Sequence, residues 1–178
     1  MWLWLDERRE RWVELDRRGA RWLHRGAAWP WVLLLLVAVS RVGNGGLWYA
    51  IMVALPLVDG PHGWYCALQM FGVGLANLLV YIGLKHRIGR PRPFDDCPGI
   101  RCCTRALDPF GFPSGHTLHA VAFSLLLAHH YPPLALPLAA FTLLTATSRV
   151  VLGLHYPSDV AVGAVIGALT AEIALYFG

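Results

Sequence analysis

The sequence predicts an all-α protein, an integral-membrane bundle of six transmembrane helices preceded by an amphipathic helix on the membrane surface. Two observations carry that prediction. Of the 178 residues, 56% are hydrophobic and 15% charged, with a mean hydropathy of +0.48. Soluble domains run near 45–50% and about 25%. The charges are also clustered. Seven of the fifteen basic residues are arginines in the first 25 positions, one is Arg41, six lie between Lys85 and Arg105, and the last is Arg149. No Lys or Arg occurs from Val42 to Leu84, from Ala106 to Ser148, or after Arg149. Those intervals are apolar enough for lipid, where an isolated charge is costly. A soluble domain, a disordered tail and a coiled coil are excluded, and the clustering argues against nucleic acid despite a net charge of +4 and a pI near 9.1. The 8 Trp, 7 Phe and 6 Tyr suit aromatic belts at the two membrane interfaces.

Residues 1–25 form the surface element. Asp6, Glu7, Glu10, Glu14 and Asp16 among the arginines rule out a signal peptide. On a helical wheel Leu5, Trp12, Leu15, Trp22 and Leu23 share a broad face, which Arg8 and Arg9 interrupt. That face would lie on the cytoplasmic surface. Residues 26–178 make the membrane domain. Trp29 to Val39 is apolar, Val42-Gly43-Asn44-Gly45-Gly46 breaks it, and Leu47 to Val58 is apolar again. After Asp59-Gly60-Pro61-His62-Gly63, an uninterrupted apolar stretch from Trp64 to Leu84 gives the clearest span. A polar loop from Lys85 to Pro113 precedes three further helices over Thr117–Tyr131, Leu134–Thr147 and Pro157–Phe177, with Pro132-Pro133 separating the first two. There is no internal repeat and no low-complexity segment.

The chemistry gathers at helix ends. Lys85 precedes Arg92-Pro93 by seven residues as the third helix ends, Pro113-Ser114-Gly115-His116 opens the fourth, Ser148-Arg149 closes the fifth, and His155 and Asp159 begin the sixth. Antiparallel packing through short connections brings these ends to one face. Positions i and i+4 of a helix face the same way, so Asp159 is within reach of His155. A carboxylate on one imidazole nitrogen fixes the tautomer and frees the other as a nucleophile. Ser114-Gly115 at a helix start has the N–H groups and hydroxyl of an anion site. Lys85, Arg92 and Arg149 supply the charge that a transferring phosphoryl group needs. Neither the eight histidines nor the four cysteines show zinc-like spacing, and no carboxylate cluster suits magnesium.

Together these stretches resemble the three-part signature of the type 2 phosphatidic acid phosphatases, a family that includes lipid phosphate phosphatases and shares its site with vanadium haloperoxidases. The first part is like Lys85 to Pro93, the second like Pro113 to His116 and the third like Ser148 to Asp159, with no departure at a signature position. The resemblance runs from about Trp64 to the C-terminus. It implies that His155 attacks phosphorus to form a phosphohistidine, that Asp159 orients it, and that His116 protonates the leaving oxygen and then activates water. It implies that Lys85, Arg92, Ser114, Gly115 and Arg149 hold the phosphoryl oxygens, with no metal or other cofactor. The bilayer and a membrane lipid are then the partners.

Two other classes compete. An anion channel or transporter would also gather cations at helix ends but would not need His155 with Asp159 opposite His116. A haloperoxidase-like oxidation would load the same pocket with vanadate, although those relatives resemble soluble proteins. Among lipid substrates the candidates are undecaprenyl diphosphate, phosphatidylglycerol phosphate, phosphatidic acid and lipid A phosphates. Arg87, Arg90, Arg101 and Arg105 are candidate head-group contacts, and their added charge favours undecaprenyl diphosphate weakly. A cytoplasmic N-terminus and two crossings before Trp64 would put the site on the outer face of a bacterial cytoplasmic membrane. There a disulfide is permitted, and Cys97 could pair with Cys102 or Cys103 across Pro98-Gly99, Cys103 being favoured because the wider spacing relaxes the geometry.

Overall fold

A computed structural model describes residues 2–178, with side-chain surroundings given from Glu10 onward. The positions of Leu5, Arg8 and Arg9 on the face of the first helix therefore lie outside the described side chains. Seven α-helices follow in order: α1 (Trp2–His24), α2 (Pro30–Val42), α3 (Gly46–Ile88), α4 (Pro93–Asp96), α5 (Gly115–His130), α6 (Ala135–Val151) and α7 (Pro157–Phe177). Every predicted helix is present, and α4 is a short turn of helix inside the polar loop.

The long α3 is really a hairpin of two arms, 46–58 and 61–88. The backbone leaves helical geometry at Asp59 (φ −125°, ψ 19°) and Gly60 (φ 51°, ψ −128°). Gly60 takes a positive φ that a side chain would oppose. The arms then pack so closely that a Cβ on Gly63 would lie 2.0 Å from the Leu55 carbonyl oxygen. Trp48 of the first arm joins Met70 and Val73 of the second in the main apolar core. Its ring meets Phe123 of α5 at 5.3 Å and Phe141 of α6 at 5.8 Å. Small residues bring α5 and α7 together as they do in membrane bundles. A Cβ on Gly163 would sit 2.7 Å from the Ser114 carbonyl oxygen, and one on Gly167 2.3 Å from that of Leu118. Gly163 thereby seats the start of α5 directly against α7.

Three stretches are long and apolar enough to cross a membrane: Gly46–Asp96, Pro132–Val151 and Pro157–Phe177, or up to four if α1 and α2, bent by 109°, count as one span. The expected six full crossings are not reproduced, and α2 is the main reason. Its 13 residues rise about 20 Å, short of the roughly 30 Å of a hydrocarbon core. Leu36 packs with Val151, Leu152 and Leu154, and the Ser40 hydroxyl meets Arg149. Helix α2 therefore stays beside the end of α6, and the descent to the other end is made by arm 46–58.

The bundle has two distinct ends. One gathers the close of α3, loop 89–114, the start of α5, the close of α6 and the start of α7. The far end holds the Asp59–Gly60 bend, where Tyr131 Oη donates to Asp59 Oδ2 at 2.9 Å, and the C-terminus, where Gly178 approaches Tyr65 and Gln69. Helix α1 lies across the first end, turning Ala20 and Leu23 inward against Cys97, Ile100 and Tyr156 while Trp12, Leu15 and Trp22 stay exposed. Two full crossings do not separate α1 from Trp64, so α1 and the end bearing the signature residues share one side.

Candidate active site

The geometry starts from His155, which is 2% exposed in the tight connection between α6 and α7. Its backbone N–H is held by the Arg149 carbonyl at 3.1 Å. Its Nδ1 lies 2.5 Å from the Gly111 carbonyl oxygen, which can only accept, so Nδ1 carries the proton and Nε2 keeps a lone pair. Burial, then the positive charges of Arg149, Arg92 and Lys85, push its pKa well below the ordinary imidazole value. The ring is thereby held in its neutral form, and Nε2 keeps its lone pair free. Arg92 Nη1 stands 3.4 Å from that nitrogen.

Asp159 takes a different post from the one its i+4 spacing suggests. Its Oδ2 is 3.9 Å from His155 Nδ1, beyond hydrogen-bond range, because the same oxygen turns back to accept the Tyr156 N–H at 2.8 Å. This closes a capping box at the start of α7. The orienting acceptor on His155 is the Gly111 carbonyl instead. The other Asp159 oxygen binds Arg90 Nη1 at 2.7 Å. Arg90, expected to face a head group, is turned inward; its second nitrogen reaches Asp16 of α1 at 2.6 Å, and its guanidinium stacks 4.1 Å over the Tyr156 ring. Asp16 also accepts the Ser158 N–H at 3.0 Å and the Ser158 hydroxyl. A surface-helix carboxylate thus ties the first turn of α7 to the catalytic aspartate candidate.

The three cations converge here and all are buried. Asp108 bridges two of them. Its Oδ2 takes Lys85 Nζ at 2.6 Å and Tyr81 Oη at 2.7 Å, and its Oδ1 takes Arg92 Nη2 at 3.1 Å. Burial alone would raise the Asp108 pKa, but the hydrogen bonds from Lys85 and Tyr81 and the charges of Lys85 and Arg92 hold it below the usual carboxylate value. Arg92 is further fixed by the carbonyls of Asp108 and Leu154, each at 2.9 Å. Arg149 gives one nitrogen to Ser40 Oγ at 2.5 Å, while its buried Nε has no hydrogen-bond partner among the described residues. Ser114 is fully buried, with its hydroxyl 3.0 Å from Thr117 Oγ1 and its N–H given to the Asp159 carbonyl. Sequence reasoning missed Asp108, Asp16, Tyr81 and Ser40. Only Asp108 left a signal, as the one acid between Pro98 and Pro113 in a basic loop.

Gly115, His116 and His119 form the polar end of a cavity of about 360 Å³ between the α3 hairpin and α5. Its walls are apolar, including Trp48, Met52, Phe71, Leu75 and Leu78. Arg87, Arg101 and Arg105 are exposed on the same end. Arg101 Nη2 is spent on the Ala27 carbonyl at 3.3 Å. The expected disulfide is absent and all four cysteines are free. Cys97 is buried against Ala20, Ile100 and Tyr156, whereas Cys103 is drawn toward α6 by its N–H bond to the Leu152 carbonyl at 3.1 Å.

Known proteins resemble this chain in sequence and in fold. The decaprenylphosphoryl-5-phosphoribose phosphatase of Mycobacterium tuberculosis is 33% identical over 147 residues, 81% of this chain and 79% of that protein. The undecaprenyl-diphosphatase BcrC of Bacillus subtilis is 34% identical over 104 residues, covering 58% of this chain and 51% of its own. In fold, the chain resembles LpxE from Aquifex aeolicus, with a TM-score of 0.79 at 24% identity over 92% of this chain and 94% of that one. It also resembles the transmembrane PAP2-type phosphatidylglycerolphosphate phosphatase of Bacillus subtilis, with a TM-score of 0.75 at 23% identity over 93% and 85%. A family model matches residues 65–178, which contain all the signature residues, and the chain belongs to the PAP2 superfamily.

Proposed function

We propose that this protein is a metal-independent lipid phosphatase that removes the terminal phosphate of a polyprenyl-linked phosphate or diphosphate through a phosphohistidine at His155. One observation carries the reading: a neutral, buried imidazole whose free Nε2 faces Arg92 at 3.4 Å, with Lys85 and Arg149 buried around it. An anion channel has no use for an imidazole with its tautomer fixed in this way.

The Nε2 lone pair attacks phosphorus in line, and the bond to the leaving oxygen breaks as His116 delivers a proton to it. His116 then takes a proton from water, whose oxygen attacks the phosphohistidine. The P–N bond breaks, releasing inorganic phosphate and restoring His155. Lys85, Arg92, Arg149 and the Gly115 backbone N–H stabilise the equatorial oxygens, the Ser114 N–H being engaged by the Asp159 carbonyl. The polyprenyl class is supported by the names of the two relatives compared in sequence, and by a cavity whose long walls are apolar and whose inner end is polar. Because three side-chain cations supply the charge, activity should survive excess chelator.

The test is phosphate release by purified protein from polyprenyl diphosphate, a polyprenyl-linked sugar phosphate and phosphatidic acid, with EDTA present. Acid-labile radiolabel should be trapped on wild-type protein and lost in His155→Ala. Turnover of phosphatidic acid alone would refute the polyprenyl class, and activity without a trapped intermediate would refute the mechanism.

A further inference from the structure

Placing the sequence on the fold shows an asymmetry that neither gives alone. All fifteen Lys and Arg residues belong to elements at the end that holds His155: seven on or just after α1, Arg41 next to the Ser40–Arg149 contact, six between Lys85 and Arg105, and Arg149 itself. The site has its own use for Lys85, Arg90, Arg92 and Arg149. Setting those four aside leaves eleven arginines with no part in the phosphate pocket. The far end has no Lys or Arg in either of its turns, residues 59–63 and 131–134, or after α7, and it carries Asp59 and Glu172.

Basic residues flanking membrane spans are retained on the cytoplasmic side, and acidic residues count for little in that bias. Here the bias is complete. Helix α1 adds to it, since it exposes Trp12, Leu15 and Trp22 beside Arg11, Arg18 and Arg25. Apolar and basic groups together favour binding to an anionic cytoplasmic leaflet. The sequence-based expectation of an outward site required two crossings between α1 and Trp64. The docking of α1 on the site end, through Asp16 to Arg90 and Ser158 and through Arg17 to Asp96 at 2.9 Å, removes them.

We infer that the phosphatase site opens to the cytoplasm, with the Asp59–Gly63 turn, the Tyr131–Leu134 turn and the C-terminus outside. Resting on the lipid-phosphatase reading, this also places the enzyme in a reaction sequence. Its substrate must be supplied on the cytoplasmic leaflet, by a reaction that leaves a terminal phosphate on a membrane lipid. A lipid phosphate released at the outer surface would not reach it without first being translocated.

The test uses native Cys102, exposed at the site end, and a cysteine introduced at the far end by Pro133→Cys, with His129→Cys as a second exposed position. Right-side-out vesicles are treated with a membrane-impermeant maleimide before and after opening with detergent, and labelled peptides are identified by mass. Cys102 should be protected at least tenfold until the vesicles are opened, while the far-end cysteine labels at once. Labelling of Cys102 from outside, or protection of both far-end cysteines in intact vesicles, would overturn the inference. The labelling needs no substrate, so an inactive preparation leaves this result intact, and a failed topology leaves the phosphatase reading standing. In the same vesicles, a lipid phosphate presented only at the outer leaflet should release no phosphate until they are opened.

Discussion

Both ends of this bundle gather histidine and carboxylate side chains, and they treat their polar groups in opposite ways. At the site end, Lys85, Arg92, Arg149, His155 and Asp159 are each at most 5% exposed, and each side chain is held by at least one hydrogen bond. At the far end, the His62 ring meets those of His130 and Tyr131 edge-on at 5.3 and 5.5 Å, and His62 and Tyr131 share one carboxylate, Asp59, which is 43% exposed. Buried charges must be compensated or they destabilise the fold, so the site end needs a network in which every member is held by another. The far end faces water and needs only local pairs. Polar residues are catalytic candidates here because of confinement, not because of their type.

Breaking the confined end should have the largest effect. His155→Ala should lower phosphate release by at least about 10³-fold while the protein still elutes as a folded species in detergent. More than a few per cent of residual activity would remove His155 as nucleophile. Asp159→Asn should cost less, about 10²-fold, because it loosens Arg90 and the α7 cap and leaves the attacking atom in place. An Asp159→Asn variant slower than His155→Ala would contradict that order.

Asp16 extends the comparison to α1. Asp16→Asn weakens two charge-assisted bonds two steps from the nucleophile, so kcat should fall about tenfold, equivalent to about 1.4 kcal/mol, with KM unchanged. A purely structural role would lower thermal stability and leave kcat per folded molecule intact. His62→Ala at the far end should change activity by less than about twofold, the ordinary scale of a surface substitution.

The pH response sharpens the same contrast. His155 has a folded pKa well below its unfolded value. The unfolded chain therefore binds the extra proton first, and this group's share of stability is lost as pH falls below about 6.5. The nucleophile itself stays neutral across that range. Single-turnover phosphorylation of His155 should persist at pH 5.5, where a free imidazole is mostly protonated.

Much of this was legible in the sequence because it is local. Apolar runs between charge clusters mark the helices, and Gly43 to Gly46 and Asp59 to Gly63 mark the turns. The signature spacing brings Lys85, Arg92, His116, Arg149 and His155 to one end. The contacts that were not legible span long separations or use backbone atoms. Asp16 meets Ser158 across 142 positions, and no periodicity encodes such a pairing. The acceptor on His155 is a carbonyl of Gly111, which any residue type could provide. Helix α2 reads as a crossing because its composition is apolar, yet what decides its path is docking against Val151 and Leu154. Cys97 and Cys103 were close enough in sequence to pair but are drawn into different cores.

The cavity beside His116 has a kinetic consequence. Its walls include Phe71, Leu75 and Leu78, which are themselves exposed on the outer surface of the bundle, so a chain can slide in sideways from the surrounding bilayer. A substrate recruited that way is searched for in two dimensions, and the enzyme senses its mole fraction among neighbouring lipids. Diluting the substrate with inert lipid or detergent at constant bulk concentration should then slow turnover in proportion, while diluting the whole suspension with buffer should leave the turnover of each enzyme molecule unchanged.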